Sequence, residues 1–215
     1  MTNYLEKFSE TDALLEGHFV LSSGLHSPKY LQCALALQNP RDASMFGQAI
    51  AERLVGTGNG SDRVLRFGEE KNPVATASGP DLVIDTVASP AIGGLVIGFA
   101  TAAALNARFI WTERQNGVMT VRRGFTLKEG ERVLVVEDVI TTGGSTRECI
   151  AALESYGANV VAAVSIIDRS NGVADVGVPR IELVRLDVPS YLPEDCPMCA
   201  NGEAAYKPGS RIFDF

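Results

Sequence analysis

Cysteine is scarce in this chain: 215 residues carry four, at Cys33, Cys149, Cys196 and Cys199. Thiols so few and scattered cannot build a disulfide scaffold at this length. Aromatic residues are also few, at 7%. No G-x-G-x-x-G is present, which disfavours a dinucleotide fold, and no lysine follows a glycine loop as a P-loop requires. Basic runs are missing too. With 19 Lys and Arg against 26 Asp and Glu, the formal charge is −7. Proteins that live on nucleic acid or on anionic membranes need a positive face, so neither partner is expected. The most apolar stretch, Pro90 to Leu105, is interrupted by Gly93, Gly94 and Gly98. It falls short of the ~20 apolar residues that cross a bilayer. Met1 to Glu6 lack the basic and apolar blocks of an export signal. The expectation is a soluble, reduced, cytoplasmic protein.

What the chain does have is hydrophobic residues, 46% of the total, enough for one sizeable core and not for two. Residues 3–15 carry apolar positions at helical spacing and predict an amphipathic helix. Residues 17–37 read as extended, with turn signals at Ser22-Ser23-Gly24 and Ser27-Pro28. Asn39-Pro40 supplies an N-cap and a first-turn proline for a helix running to about Val55. Residues 56–80, rich in Gly, Asn, Ser and Asp, predict a surface excursion. From residue 81 short β-rich runs alternate with helical segments. The runs are Asp81–Ala88, Arg108–Thr112, Arg132–Val136, Asn159–Asp168 and Ile181–Leu186, and the helices Gly94–Leu105 and Ser145–Tyr156. That alternation predicts a parallel sheet with helical crossovers, whose ligands sit beyond the carboxyl ends of the strands.

One such strand end stands out. Val133-Leu134-Val135-Val136 is a buried run, Glu137-Asp138 close it, and Val139-Ile140-Thr141-Thr142-Gly143-Gly144-Ser145 lead into a helix. A helix N-terminus preceded by small residues offers free N–H groups and a positive dipole end, which suit a phosphate. Hydroxyls of Thr141, Thr142 and Ser145 add donors, and glycines let the backbone come close. The two acids would repel a phosphate. They suit hydroxyls, a metal ion or developing positive charge. A ribose 5-phosphate satisfies both halves, and a mere cap for the turn would not need so many small and hydroxylated residues beside two acids.

Residues 133–145 resemble the phosphoribosyl pyrophosphate motif of type I phosphoribosyltransferases. The wider chain resembles their orotate-specific branch. Gly17 to Leu31 is similar to its N-terminal segment, Ser89-Pro90-Ala91-Ile92-Gly93-Gly94-Leu95 to its pyrophosphate loop, Glu113 to Phe125 to the mobile catalytic loop of one sub-branch, and Ile167-Asp168-Arg169-Ser170 to the segment whose arginine faces the orotate carboxylate. The tail from Cys196 to Arg211 resembles the same sub-branch. The better-known sub-branch has lysine where Ser22 and Gly93 stand here, and an aromatic pair where only Tyr30 is aromatic beside Leu31.

The resemblance implies an α/β fold, a mainly parallel twisted sheet flanked by helices, as a single domain over residues 1–215. Residues 1–40 and the C-terminal segment would form a small hood over the base site. It implies transfer of a phosphoribosyl group to orotate with Mg²⁺ carried mainly by the substrate, in a homodimer whose active site is shared. Asp138, Glu137 and Arg114 would serve catalysis. Thr141, Thr142, Gly143, Gly144, Ser145, Ser89, Pro90, Ala91, Arg122 and Arg123 would hold the donor. Arg169, Tyr30, Thr141 and Ser22 would hold orotate. A purine-base transferase and a donor-sensing regulator stand as alternatives. Residues 113–124 read as a polar loop without an apolar stripe to dock it. Cys196 and Cys199 could supply half of a four-ligand zinc site, but with no second C-x-x-C another subunit would have to complete it, and they read as structural thiols. His18 and His26 read as structural or surface residues.

Overall fold

The computed structural model describes residues 4–21, 24–55 and 83–208. These fall into two compact units, one of the two chain ends (Met1–Ala36 with Asp187–Phe215) and one of the middle (Leu37–Leu186). Residues 56–80, Ser22 and Gly209 to Arg211 lie outside the described residues. Among the described residues no helix is long and apolar enough to cross a membrane.

The first unit opens with helix α1, Tyr4–Glu10, followed by strands β1, Leu14–Val20, and β2, His26–Leu31, paired antiparallel. The helix expected over residues 3–15 is therefore half as long. Asp12 turns left-handed at φ 54° and Ala13 N–H closes back on Phe8 O at 2.8 Å, which ends the helix as a left-handed cap does. Leu14 and Leu15 then pair with Leu31 and Tyr30. A register shift between Glu16 and Phe19, with Gly17 at φ 153°, marks a bulge. Helix α2, Cys33–Leu37, replaces the end of the predicted extended stretch.

The second unit begins with helix α3, Pro40–Val55, as its sequence predicts, and the Asn39 side chain accepts from Arg41 N–H at 2.9 Å. The remaining elements are β3 (Thr86–Pro90), α4 (Gly94–Leu105), β4 (Arg108–Gln115), β5 (Val118–Val121), β6 (Arg132–Ile140), α5 (Gly144–Glu154), β7 (Asn159–Asp168) and β8 (Arg180–Arg185). They build a six-stranded sheet in the order β5-β4-β3-β6-β7-β8. All neighbours are parallel except β4 and β5. Of the predicted strand at 81–88, residues 81 and 82 lie outside the described residues, residues 83–85 precede the strand, and β3 runs on to Pro90 opposite Thr112 of β4.

Burial on both faces explains the uniformly apolar β6. Val133 and Val135 belong to a core with Ile110, Cys149, Ile150 and Leu153, on the α5 side. Leu134 and Val136 are as deeply buried and alternate to the other face, where α4 packs on β3 and β6. Outside α4 lies α3, so close that a Cβ on Gly47 would stand 2.6 Å from the backbone C and O of Ala100. Gly47→Val is expected to destabilise the protein by about 1–3 kcal/mol or more through overpacking. Urea unfolding would measure it against Gln48→Ala, an exposed neighbour expected to stay within about 0.5 kcal/mol of the parent.

Candidate active site

The acid pair lies inside β6 rather than at its end. Pairing of Val139 with Ile167 and Ile140 with Asp168 carries the strand past Glu137 and Asp138. Glu137 is 9% exposed, and its Oε2 is buried without a protein partner. Asp138 Oδ1 accepts from Val139 N–H at 2.8 Å. Burial, and then the charge of Asp138, hold the Glu137 carboxyl well above the usual range. Burial also raises Asp138, against the pull of the Val139 N–H. The protein thus keeps two carboxyls where ionisation is costly.

Against this pair lies the turn after β3, containing the cis Ala91–Ile92 peptide. A Cβ on Gly93 would stand 2.8 Å from Asp138 Oδ1, and one on Gly94 2.8 Å from Glu137 Oε2 and from Val136 O. Glycine at both positions lets the turn close on the acids. Ser89 and Pro90 are enclosed in β3, and Ala91 N–H is taken by Thr112 O at 2.8 Å. Of the three residues expected to meet pyrophosphate, only Ala91 has some exposure.

The glycine-bearing turn expected to meet a phosphate follows β6. Thr141, Thr142 and Ser145 are exposed, and Gly143 sits at φ 74° as N-cap of α5 with no side-chain cap. The first-turn N–H groups of α5 therefore lack the usual side-chain acceptor, as an anion site requires. Arg147 holds the turn: its Nη1 donates to Thr142 O at 2.9 Å and to Asp175 O at 2.5 Å. Sequence reasoning missed this clamp, since nothing in the local pattern marks Arg147.

Arg169 follows β7, and its N–H donates to Ile140 O at 2.8 Å, stitching that strand end to the end of β6. Before it stands the fully buried Asp168. Burial would raise this carboxyl, but Ser170, Arg180 and nearby N–H groups hold it below the usual range. It accepts from Ser170 N–H (2.7 Å), Ser170 Oγ (2.6 Å) and Gly172 N–H (2.7 Å), and pairs with Arg180 at 3.0 Å. Asp168 thus shapes the turn that carries Arg169. The Asp-x-Ser pattern, a local turn former, was its signal.

Residues 113–124 correct the sequence reading. They form most of a β4–β5 hairpin with a docking stripe, since Met119 and Val121 are buried and Val121 joins the core under α5. Arg114 pairs with Glu148 of α5 at 2.6 Å, and Arg122 and Arg123 both pair with Glu113, at 3.1 and 2.9 Å. Tyr30 belongs to the other unit, its hydroxyl 3.3 Å from Gln32 Oε1.

A mainly parallel sheet, an acid pair on its central strand with Glu137 buried and Asp138 half-buried, and an uncapped glycine turn beyond it point to a phosphoribosyltransferase. The family model of the phosphoribosyl transferase domain matches residues 81–183. Orotate phosphoribosyltransferase of Thermotoga maritima is 46% identical over 206 residues, 96% of this chain and 97% of that one. The enzyme of the same name from Carboxydothermus hydrogenoformans is 47% identical, covering 95% of each. The crystal structure of orotate phosphoribosyltransferase from Aeropyrum pernix matches with a TM-score of 0.62 at 25% identity, covering 84% of this chain and 92% of that one. This chain belongs to the orotate phosphoribosyltransferase family.

A carboxyl whose pKa is higher folded than unfolded contributes stability that is complete below its unfolded value and lost as the pH rises through its folded one. The acid pair therefore weakens the ligand-free fold near neutral pH. Glu137→Gln is expected to melt above the parent at pH 8, with the margin closing as the pH falls toward 4.5, the ordinary glutamate value. Thermal melts at several pH values would read this. No gain at pH 8 would mean that Glu137 is not held at a cost.

Proposed function

We propose that this protein transfers the 5-phosphoribosyl group of phosphoribosyl pyrophosphate to a ring nitrogen of orotate, giving orotidine 5′-monophosphate and pyrophosphate for pyrimidine biosynthesis. The observation that carries the reading is the acid pair, Glu137 buried and Asp138 half-buried, beside an uncapped, glycine-bearing turn, in a chain closely similar along its length to orotate phosphoribosyltransferases. The relatives do not favour a purine-base transferase or a regulator.

The α5 N-terminus with Thr141, Thr142, Gly143, Gly144 and Ser145 takes the 5-phosphate through N–H and hydroxyl donors. Glu137 and Asp138 accept from the ribose hydroxyls and stabilise the positive charge that grows at the anomeric carbon as pyrophosphate departs. The turn at Ala91 to Gly94 receives that pyrophosphate. Arg114, Arg122 and Arg123 neutralise it after leaving their carboxylate partners. Arg169 takes the orotate carboxylate as a planar two-donor fork. The site fits Mg²⁺: hard oxygen donors are gathered, and Glu137 Oε2 is buried without a protein partner. When bound with the donor, the ion offsets the charge of the leaving pyrophosphate.

Asp138→Asn changes charge at nearly constant volume. It is expected to leave the fold intact and to lower turnover on the order of 10²–10³. Orotate absorbance with donor and Mg²⁺ reads it, and full turnover in a folded variant would remove the acid pair from the mechanism. Arg169→Ala is expected to raise the KM for orotate far more than that for the donor, whereas equal effects would make Arg169 structural.

The working form proposed is a homodimer. Val96 and Phe99 are exposed on α4 and Ile92 just before it, with Ile92 83% exposed, an apolar surface that suits a second copy. A shared site places each hairpin over the partner's turn. A second reading, favoured by the Arg114–Glu148 pair, keeps Arg114 on its own subunit. Mixing Arg114→Ala with Asp138→Asn under subunit exchange decides between them. About half the dimers become hybrids, each with one intact site if sites are shared, so roughly a quarter of parental activity returns. If Arg114 serves its own subunit, none returns.

A further inference from the structure

The first unit holds a cluster that the transfer reaction does not use. His18 of β1, His26 of β2, Cys196 and Cys199 bring one ligand atom each to within 4.8 Å of one another. From the sequence the two cysteines read as structural thiols, a metal site needing another subunit to complete it; in the fold two histidines of the same chain, far away in sequence, lie beside them. We infer that these four side chains form a closed, structural zinc site tying the N-terminal hairpin to the C-terminal segment.

Local structure explains how each ligand arrives. Strand alternation would point His18 and Phe19 to opposite faces, yet both are buried. The bulge at Gly17 breaks the alternation and turns His18 inward. His26 begins β2 opposite Val20, across the hairpin. Cys196 precedes a one-turn helix α6, Pro197–Ala200, in which Ala200 N–H closes on Cys196 O at 3.1 Å. A three-residue separation on that turn sets both sulfurs on one side. Backbone pairing then locks the segments together on both flanks of the cluster. Tyr206 N–H donates to His18 O at 2.8 Å, and His26 and Tyr191 exchange two bonds of 2.8 and 2.9 Å.

The distances fit a metal centre. Cys196 Sγ lies 3.5 Å from His18 Nε2, and Cys199 Sγ lies 3.7 Å from the same atom and 3.3 Å from His26 Nδ1. Tetrahedral zinc with bonds of about 2.0–2.3 Å has ligand–ligand edges of roughly 3.4–3.8 Å. The two nitrogens, 2.7 Å apart, would open by about half an ångström and the widest pair, at 4.8 Å, would close by about one as the ion enters. Proton placement agrees. His18 Nδ1 lies 2.9 Å from Glu203 O, and a carbonyl can only accept, so Nδ1 carries the hydrogen and Nε2 turns its lone pair to the cluster. Glu203 is itself held, its N–H donating to Met198 O at 3.0 Å. Two thiolates and two imidazoles are a softer set than the oxygen donors Mg²⁺ prefers, and select zinc.

The metal also answers a packing need. Among the described residues the buried apolar side chains of this unit are Phe8, Ala13, Phe19, Ala36 and Val188, with Cys33 and Cys196. A core that small gains its stability from a staple.

The test uses the full chain without an affinity tag. Elemental analysis of purified protein is expected to find about one zinc per chain, as one tetrahedral site requires. After zinc is stripped and the thiols kept reduced, Co²⁺ added to the wild-type chain should give the charge-transfer and visible bands of tetrahedral thiolate coordination. Cys199→Ser and His18→Gln should each weaken zinc binding by more than the roughly 10- to 100-fold that loss of an outer hydrogen bond costs. Zinc removal should lower the melting temperature. A folded, reduced wild-type chain that carries no zinc and gives no such bands with Co²⁺ overturns the site, as does zinc that stays at full occupancy and affinity in both variants. None of these readouts depends on transferase activity.

Discussion

The constraint on which the second unit turns is the cost of burying Glu137, with Asp138 half-buried beside it, on the central strand of a sheet covered on both faces. Neighbouring choices reduce or accommodate that cost. Val139 N–H donates to Asp138, Gly93 and Gly94 bring backbone rather than side chain against the acids, and Glu137 Oε2 is left for something the protein does not itself supply. A site with its charges already desolvated spends none of the ligand's binding energy on removing water from them. The β6 run of valines, the α4 and α5 layers and the uncapped α5 terminus are the frame that holds this arrangement in place.

Around that frame the other ionic groups are held in pairs. Glu113 engages Arg122 and Arg123, Glu148 engages Arg114, and Asp168 engages Arg180. The exposed pairs are weak, of order 0–1 kcal/mol. The buried one is different in kind. Asp168 has several donors and shapes a turn, so it fixes geometry, whereas Glu113 of β4 and Glu148 of α5 make exposed pairs that fix little.

How legible this was from the sequence followed from range. The β6 turn was legible because its chemistry is local: acids, hydroxyls and glycines lie within thirteen consecutive positions, 133–145. The α3 start at Asn39-Pro40 and the bounds of α4 and β7 were legible for the same reason. β5 was not, because a four-residue strand flanked by Arg114, Arg122 and Arg123 looks like a polar loop until Met119 and Val121 are seen to be buried. The His18, His26, Cys196 and Cys199 cluster was invisible because the sequence separates its halves by the whole second unit. The clamps made by Arg147 on carbonyl oxygens left no trace either, since any long donor side chain would satisfy the local pattern.

The first unit's construction from the two chain ends bears on how the protein comes into being. On the ribosome, residues 37–186 are complete before the C-terminal segment has been made, and sheet and helices can close as they emerge. The β1–β2 hairpin is translated first, yet Val20 and His18 bond to Tyr206 and His26 bonds to Tyr191. It must wait, unpaired along that side, until the second unit has been made. A hairpin made before the second unit is thus finished after it, and a product cut short past residue 186 would carry a sound sheet and a hairpin with an unfinished sticky edge, the kind of species that quality-control proteases remove.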